Sequence, residues 1–315
     1  MDAGKGTSIH SPAHAGDRIV VVGEVLYDRF PDGDRLGGAP FNVAWHLTGL
    51  GLDPLFVSRI GNDPAGDQIR SAMAGHGMDT SGLQTDPSLP TGIVQIELDG
   101  AGGHEFTILP DQAYDQIDRA ALANLLGGTP PSLICFGTLA LRAAGSRAAI
   151  LNTVTHCPGT RFLDVNLRKE CWTVDTVSAA LTHASVAKLN DEELATLGSL
   201  FGLRGREPKQ ASALRDRFGL EAVCVTRGAG GALWVDANGA LEAGIPDTVE
   251  VVDTVGAGDA FSSVLIMGLA RGWLPEDTLR RATRLAAVVC GMRGACPDDP
   301  GFYRIWREKW MGTPA

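Results

Sequence analysis

The chain alternates short, uninterrupted apolar runs with segments of helical period, and this alternation restricts its fold more than any other feature. Apolar runs stand at residues 18–23, 133–136, 161–165, 186–189 and 222–226. Helical patterns lie among them at 40–50, 64–75, 146–156, 192–200 and 210–218. A strand with no polar side is buried on both faces, and helices must supply the cover. The pattern therefore predicts an α/β fold: a doubly wound, mostly parallel sheet with helices on both faces. In such sheets ligands bind beyond the carboxyl ends of the strands, so functional residues are expected just after them.

One segment departs from this pattern. Residues 91–98 alternate polar and apolar, turn at Asp99-Gly100-Ala101-Gly102-Gly103, and return along 104–109. Period-two alternation around a Gly-rich turn predicts a hairpin with one wet face, a protruding element suited to a lid. Residues 231–236 and 239–243 read as a short antiparallel meander. Two long helices, 259–271 and 275–293, are expected to close the chain.

Composition narrows the function. Among 315 residues, 27 Lys and Arg stand against 37 Asp and Glu, a formal charge of -10. That balance argues against a main role in gripping nucleic acid or anionic lipid. With 44% apolar and 20% charged residues the chain is not disordered over most of its length. Residues 1–17 are rich in Gly, Ser, His and Ala without a signal-peptide core, and read as a flexible tail. No apolar run approaches the roughly 20 residues of a membrane helix. The six cysteines form no C-x-x-C; Cys135 and Cys224 lie in apolar runs and are expected as buried thiols, and the expected compartment is the cytoplasm.

The strongest local signal is Asp253-Thr254-Val255-Gly256-Ala257-Gly258-Asp259-Ala260-Phe261, followed by an apolar helix. Gly256 and Gly258 let backbone approach a ligand where the chain turns into that helix. The first amides, near Ala257 to Asp259, have no intrahelical acceptor and form an anion site at the positive end of the dipole. The Asp259 carboxylate is expected to be stabilised there as the anion, ionised at neutral pH. Amides that hold a transferring group beside a carboxylate that takes a hydroxyl proton are what phosphoryl transfer requires. A Gly-rich turn before a helix has an equally plain structural reading.

A second glycine cluster is Gly37-Gly38-Ala39-Pro40-Phe41-Asn42. Pro40 suits a helix start, and Asn42 offers a donor and an acceptor to a sugar hydroxyl. Asp28 follows the first strand and is suited to accept from two hydroxyls. Each is also an ordinary turn residue.

Taken together, Gly37 to Asn42 and Asp253 to Asp259 closely resemble the two signatures of the ribokinase-like (PfkB) carbohydrate kinase family. Further family-like pieces stand between them in order: Arg59-Ile60-Gly61-Asn62-Asp63-Pro64-Ala65-Gly66, Asp164-Val165-Asn166-Leu167-Arg168, Asn190-Asp191-Glu192-Glu193 and Thr226-Arg227-Gly228. The resemblance covers residues 18–294. It implies a ribokinase-like kinase domain over 18–315, with a small β lid from about 29–38 and 90–110. It also implies ATP as donor and magnesium as divalent cation. By motif, Asp259 resembles the catalytic base and Gly256, Ala257 and Gly258 the anion hole. Asp28, Gly38 and Asn42 match sugar-holding positions. Arg168 matches an Arg near the sugar or the transferred phosphoryl. Asn190 and Glu193 match the motif that orders magnesium and its waters, and Thr226 and Gly228 the nucleotide-side loop. Many members bind a monovalent cation through the loop of Asp253 and a loop near 290–297. Val255 stands where Thr is frequent, but carbonyl ligation survives that change, so potassium activation stays open.

Within the family, Gly23-Glu24-Val25-Leu26-Tyr27-Asp28 and the two motifs Gly37 to Asn42 and Asp164 to Arg168 look most like fructokinases, which phosphorylate O6 of fructose. A 2-keto-3-deoxygluconate kinase is the alternative, with Tyr114 and Arg168 to hold its carboxylate. A catalytically silent sugar-binding or scaffold relative is a second alternative, though Asp259 and its glycines are intact. A dinucleotide-dependent oxidoreductase lacks its G-x-G-x-x-G after the first strand. The expected partners are a small sugar and ATP, with a homodimer through the lid.

Overall fold

The first apolar run forms β1 (Ile19–Val22), after which the chain makes β2 (Leu26–Phe30), β3 (Gly33–Gly37), α1 (Ala39–Gly49), β4 (Leu55–Gly61), α2 (Pro64–Gly75) and β5 (Leu83–Asp86). The expected hairpin follows as β6 (Gly92–Leu98) and β7 (His104–Ile108). Then come α3 (Arg119–Leu126), β8 (Leu133–Gly137), α4 (Ala144–Thr155), β9 (Thr160–Asp164), α5 (Val174–His183), β10 (Val186–Asn190), α6 (Asp191–Phe201) and α7 (Glu207–Phe218). The chain ends with β11 (Ala222–Thr226), β12 (Ala232–Asp236), β13 (Gly239–Ala243), α8 (Ala257–Arg271), α9 (Pro275–Cys290) and α10 (Pro300–Met311). This computed structural model describes residues 18–30, 33–98, 104–244 and 250–311. The tail at 1–17 and the turn at 99–103 lie outside the described residues.

Nine strands form one sheet in the order β13-β12-β11-β10-β9-β8-β1-β4-β5. All neighbours from β11 to β5 are parallel, and β12 and β13 add an antiparallel edge. The uninterrupted apolar runs have the predicted cause. In β1, Ile19 and Val21 pack into the cluster of Phe41, Trp45, Leu265 and Leu279, while Val20 and Val22 pack with Ile150, Leu181, Leu197 and Leu214. Each face thus buries alternate residues of the same strand under its own helix layer. Cys135 and Cys224 are buried free thiols, as expected.

A separate four-stranded sheet, β3-β2-β6-β7, joins the hairpin to the segment after β1. Leu26, Val94 and Ile96 on one of its faces cover Tyr114 and Leu139. Arg142 ties this region down: its Nε donates to Asp115 Oδ1 at 2.9 Å, and its Nη2 to Asp115 Oδ2 at 2.8 Å and to the Leu109 carbonyl at 2.6 Å.

The structure corrects three expectations. The second long helix ends at Cys290 rather than 293, because the chain turns at Gly291 and reaches the left-handed region at Gly294 (φ 83°). A further helix, α10, follows it, and its Tyr303 and Trp306 are buried in the core cluster that includes Phe41 and Trp45. Asp28 lies within β2 of the small sheet, not at the carboxyl end of β1. No helix among the described residues is long and apolar enough to cross a membrane.

Candidate active site

The site begins where α8 begins. Gly256 is its N-cap with φ 79°, and no side chain caps the helix. The first strong helical bond is Ala260 N to Gly256 O at 2.8 Å, and Ala257 N reaches Thr254 O only at 3.4 Å. The Gly258 and Asp259 amides find no acceptor among the described residues. Free amides at the positive end of a helix form an anion seat. Glycine is required at 256 on two counts: a Cβ there would lie 2.4 Å from Ala295 Cβ, and φ is left-handed.

Asp259 stands in the first turn of α8. Its Oδ2 accepts from Asn42 Nδ2 at 2.7 Å, which joins the two signature motifs across the molecule. Asn42 is buried in the first turn of α1, and its Oδ1 accepts from Cys296 Sγ at 3.2 Å. Gly38 precedes that helix with φ 109°; a Cβ there would meet the Glu24 carbonyl at 2.7 Å. The chain can bring α1 this close to the turn after β1 only with glycine at that point.

The expected ionised state of Asp259 stands, but the direction of its shift does not. Its pKa is raised to about 6, not lowered: burial is the largest cause and the Asp164 charge adds to it, while Asn42, Lys188 and Arg168 oppose them. The helix dipole is a local effect, and desolvation by the folded protein outweighs it. The group is still roughly nine-tenths ionised at pH 7.

Three charged residues assembled around Asp259 were not singled out for a role of their own by sequence. Lys188 of β10 places Nζ 3.1 Å from Asp164 Oδ1 and 3.2 Å from Oδ2, and Ser262 of α8 donates to Asp164 Oδ2 at 2.7 Å. A Cβ on Gly258 would lie 3.2 Å from Lys188 Nζ, so this ammonium sits against the anion seat. Glu24 is only 3% exposed, and its Oε2 has no partner among the described residues. It lines a cavity at the carboxyl ends of β1, β8 and β9 together with Pro40, Thr138, Asp164 and Asn166. Burial, the largest cause, raises its pKa to about 7 against the opposing charges of Arg168 and Arg142. Glu24 stands in a turn and Asp164 and Lys188 in strands; the only local signal was a charged residue in an otherwise apolar setting.

Arg168 is exposed beyond β9, and its charge lowers the pKa of Glu24, Asp28 and Asp259. Asp28 is pushed up by burial, with Arg168 and Arg35 opposing. Asn166, two residues before Arg168, holds φ 39°, an uncommon backbone state for a non-glycine residue. Tyr114 is wholly buried beneath the small sheet, its hydroxyl without a partner among the described residues. Trp172 packs against the core, and buried His46 meets Tyr303 Oη at 2.9 Å, so both are packing residues.

On the other side, Asn190 and Thr226 are register partners at the ends of β10 and β11, and Gly228 follows in a left-handed turn (φ 53°). Asn190 caps α6: its Oδ1 accepts from Glu193 N at 2.7 Å, and Glu193 Oε2 accepts from Asn190 N at 2.8 Å. Glu193 Oε1 accepts from Leu167 N at 2.7 Å. With each Glu193 oxygen already bonded, the donor set fits a hydrated magnesium held mainly by a nucleotide, not a cage of protein ligands. No group of three metal-ligating side chains occurs among the described residues.

The monovalent-cation expectation concerned Asp253 and Val255. Asp253 Oδ1 accepts from Val255 N at 3.0 Å and Oδ2 from Gly294 N at 3.2 Å; Val252 N and Asp253 N donate to Cys290 O at 2.8 and 3.1 Å. The two loops named from sequence therefore lie side by side.

The family model described as pfkB family carbohydrate kinase matches residues 17–300. The chain is 32% identical over 289 residues to a fructokinase of Klebsiella pneumoniae, covering 87% of this chain and 92% of that protein. It is similar to the fructokinase of Vibrio cholerae O395 solved with fructose, ADP and calcium ion (28% identity, TM-score 0.73, 89% and 94% covered). It is also similar to an uncharacterized sugar kinase of Pyrococcus horikoshii solved with ATP (25% identity, TM-score 0.74, 88% and 93% covered). The chain belongs to the pfkB family of carbohydrate kinases and is a phosphotransferase acting on a sugar hydroxyl, with the ribokinase-like fold.

Proposed function

We propose that this pfkB-family sugar kinase transfers the γ-phosphoryl group of ATP to the primary hydroxyl of a monosaccharide, and that the sugar is fructose, giving fructose 6-phosphate. The observation that carries the mechanism is the Asp259 carboxylate set beside the unpartnered amides of Gly258 and Asp259. The sugar oxygen attacks the γ-phosphorus in line, the bond to the β–γ bridging oxygen breaks, and ADP leaves. The hydroxyl proton passes to Asp259. A base with a pKa of about 6 is ionised at working pH yet basic enough to accept that proton. The free amides of α8, with Lys188 beside them, stabilise charge as it spreads over the phosphoryl oxygens.

Asp28, Gly38 and Asn42 hold the sugar, and Arg168 neutralises charge at its phosphoryl side. Thr226, Gly228 and Asn190 border the nucleotide. Asn190 and Glu193 would hold the waters of a magnesium ion, which would supply charge neutralisation to the nucleotide's phosphates. Asp253, the Val255 carbonyl and the 290–297 loop suit potassium. The small sheet acts as the lid that excludes water, and its open edges at β3 and β7 suit pairing with a second copy. A size measurement that finds only monomer would remove the dimer.

The choice of fructose is supported by the fructokinases among the relatives, one of them with fructose bound. It is tested by ATP consumption over fructose, 2-keto-3-deoxygluconate, ribose, adenosine and fructose phosphates. The highest kcat/KM is expected with fructose. Turnover only with the keto acid would overturn that choice while leaving the kinase chemistry in place.

A further inference from the structure

The two ends of the Asn42 carboxamide are engaged in opposite senses. A carboxylate only accepts, so Asp259 Oδ2 at 2.7 Å takes the Nδ2 end. The Oδ1 end then faces Cys296 Sγ at 3.2 Å, where it requires a donor. The thiol S–H of Cys296 supplies that donor. The loop around it is held from both sides. Pro297 O accepts from Trp45 Nε1 of α1 at 3.1 Å, Ala295 packs against Gly256, and Gly294 N donates to Asp253.

We propose that Cys296 is a positioning residue for the reaction: its S–H fixes the orientation of the Asn42 carboxamide, which in turn aims the Asp259 carboxylate. The inference rests on the reading of Asp259 as the base. Without the thiol the carboxamide oxygen loses its donor among the described residues, and a half-turn about the Cβ–Cγ bond, with Oδ1 toward Asp259, becomes favourable once that carboxyl carries a proton to donate. Two facing oxygens repel while Asp259 is charged, so its proton affinity rises. Other charges face Asp259 as well: Asp164 of β9, Lys188 of β10, Arg168 beyond β9 and Glu24 beyond β1. The Cys296 substitution leaves all of them in place, so a change in titration reports on the carboxamide.

The test compares Cys296→Ala, which removes the donor, with Cys296→Ser, which keeps one, as kcat/KM against pH for the best sugar of the ATP screen. Cys296→Ala is expected to move the acid limb upward by about half a unit to one unit and to lower kcat several-fold. Cys296→Ser is expected to stay within about twofold of the parent with its acid limb unmoved. If the alanine protein fails to fold, Cys296→Val fills the space without a donor and gives the same comparison. A parental pH profile in the Ala or Val variant overturns the proposal, and so does a Ser variant as impaired as Ala. Failure of the base assignment is read separately, from Asp259→Asn. Parental activity in that variant removes the base whatever Cys296 does, whereas an inactive Asp259→Asn with an indifferent Cys296→Ala removes only the positioning role.

Discussion

Lys188 Nζ lies 3.1 Å from Asp164 Oδ1 and 3.2 Å from Oδ2, and this buried pair forms the floor under the first turn of α8. Burial works against the lysine charge, but Asp164, Glu193 and Asp259 outweigh it and hold its pKa above the ordinary value. The ion pair therefore joins the strand ends to the reacting carboxylate: Asp164 raises the Asp259 pKa and Lys188 lowers it.

Replacing one member of that pair has two separable consequences. Lys188→Met leaves a buried carboxylate unpaired, and a loss of about 3–5 kcal/mol is expected in urea unfolding. It also removes a positive charge near Asp259, so the acid limb of kcat/KM moves to higher pH. Adding Asp164→Asn removes the stranded charge and a like charge beside the base at once. The double variant should regain most of the stability and return the acid limb toward its parental position. A double variant as unstable as the single one would show that the pair acts through shape and not charge.

Asp259→Asn keeps the size of the side chain and removes its basicity. A fall in kcat of about 10² or more is expected, with sugar and nucleotide binding largely kept. In the parent, the base works only when ionised, so activity falls as pH drops through about 6. An Asn variant within a few-fold of the parent, or a rate flat from pH 7 down to 5, contradicts the assignment.

How far these features could be read from sequence depends on whether each is local in the chain. The strand at 19–22 and the helix after Gly38 were legible, because periodicity and Gly-Pro punctuation are local. So was the Gly256-to-Asp259 turn, whose glycines and carboxylate are consecutive. The Asn42 contacts to Asp259 and Cys296 are made by residues more than 200 positions apart, and no pattern around any one of them predicts the meeting. Lys188 and Glu24 look like stray polar residues until the fold encloses them. The direction of the Asp259 shift is not legible in the sequence for the same reason: the helix dipole can be read from position, whereas burial is a property of the whole molecule. Helix α10 is not legible in the sequence because its aromatic residues find their partners on remote elements: Tyr303 on His46 of α1 and on His76 after α2, and Trp310 on Trp273 between α8 and α9.

Glu24 gives a linkage effect of definite sign. Its pKa is raised from 4.5 to about 7, so the folded state binds its proton more tightly than the unfolded state does. Its contribution is fully present below about pH 4.5 and is lost as pH rises through 7, with a total of about 3 kcal/mol. Glu24→Gln carries no titration, so the variant should gain on the parent by that amount between pH 4.5 and 7.5, measured by urea unfolding. A stability difference that does not change with pH would mean that the buried Oε2 is not held in its neutral form.

Gly256 and Gly258 are predicted to fail in different ways when each is replaced by alanine. At 256 the new Cβ would lie 2.4 Å from Ala295 Cβ and 2.5 Å from its Cα, in a left-handed backbone with φ 79°. The strain alone costs about 1 kcal/mol, and the clash with backbone cannot be relieved by a rotamer. Gly256→Ala should therefore lower the unfolding midpoint and abolish activity together, because the loop of Ala295 and Cys296 must shift. At 258 the backbone is ordinary and the nearest obstacle is Lys188 Nζ at 3.2 Å. Gly258→Ala should keep the fold to within about 1 kcal/mol and still lose kcat, since a methyl group now crowds the anion seat and its ammonium neighbour. Equal losses of stability in both variants would argue against the separate roles given to the turn and to the seat.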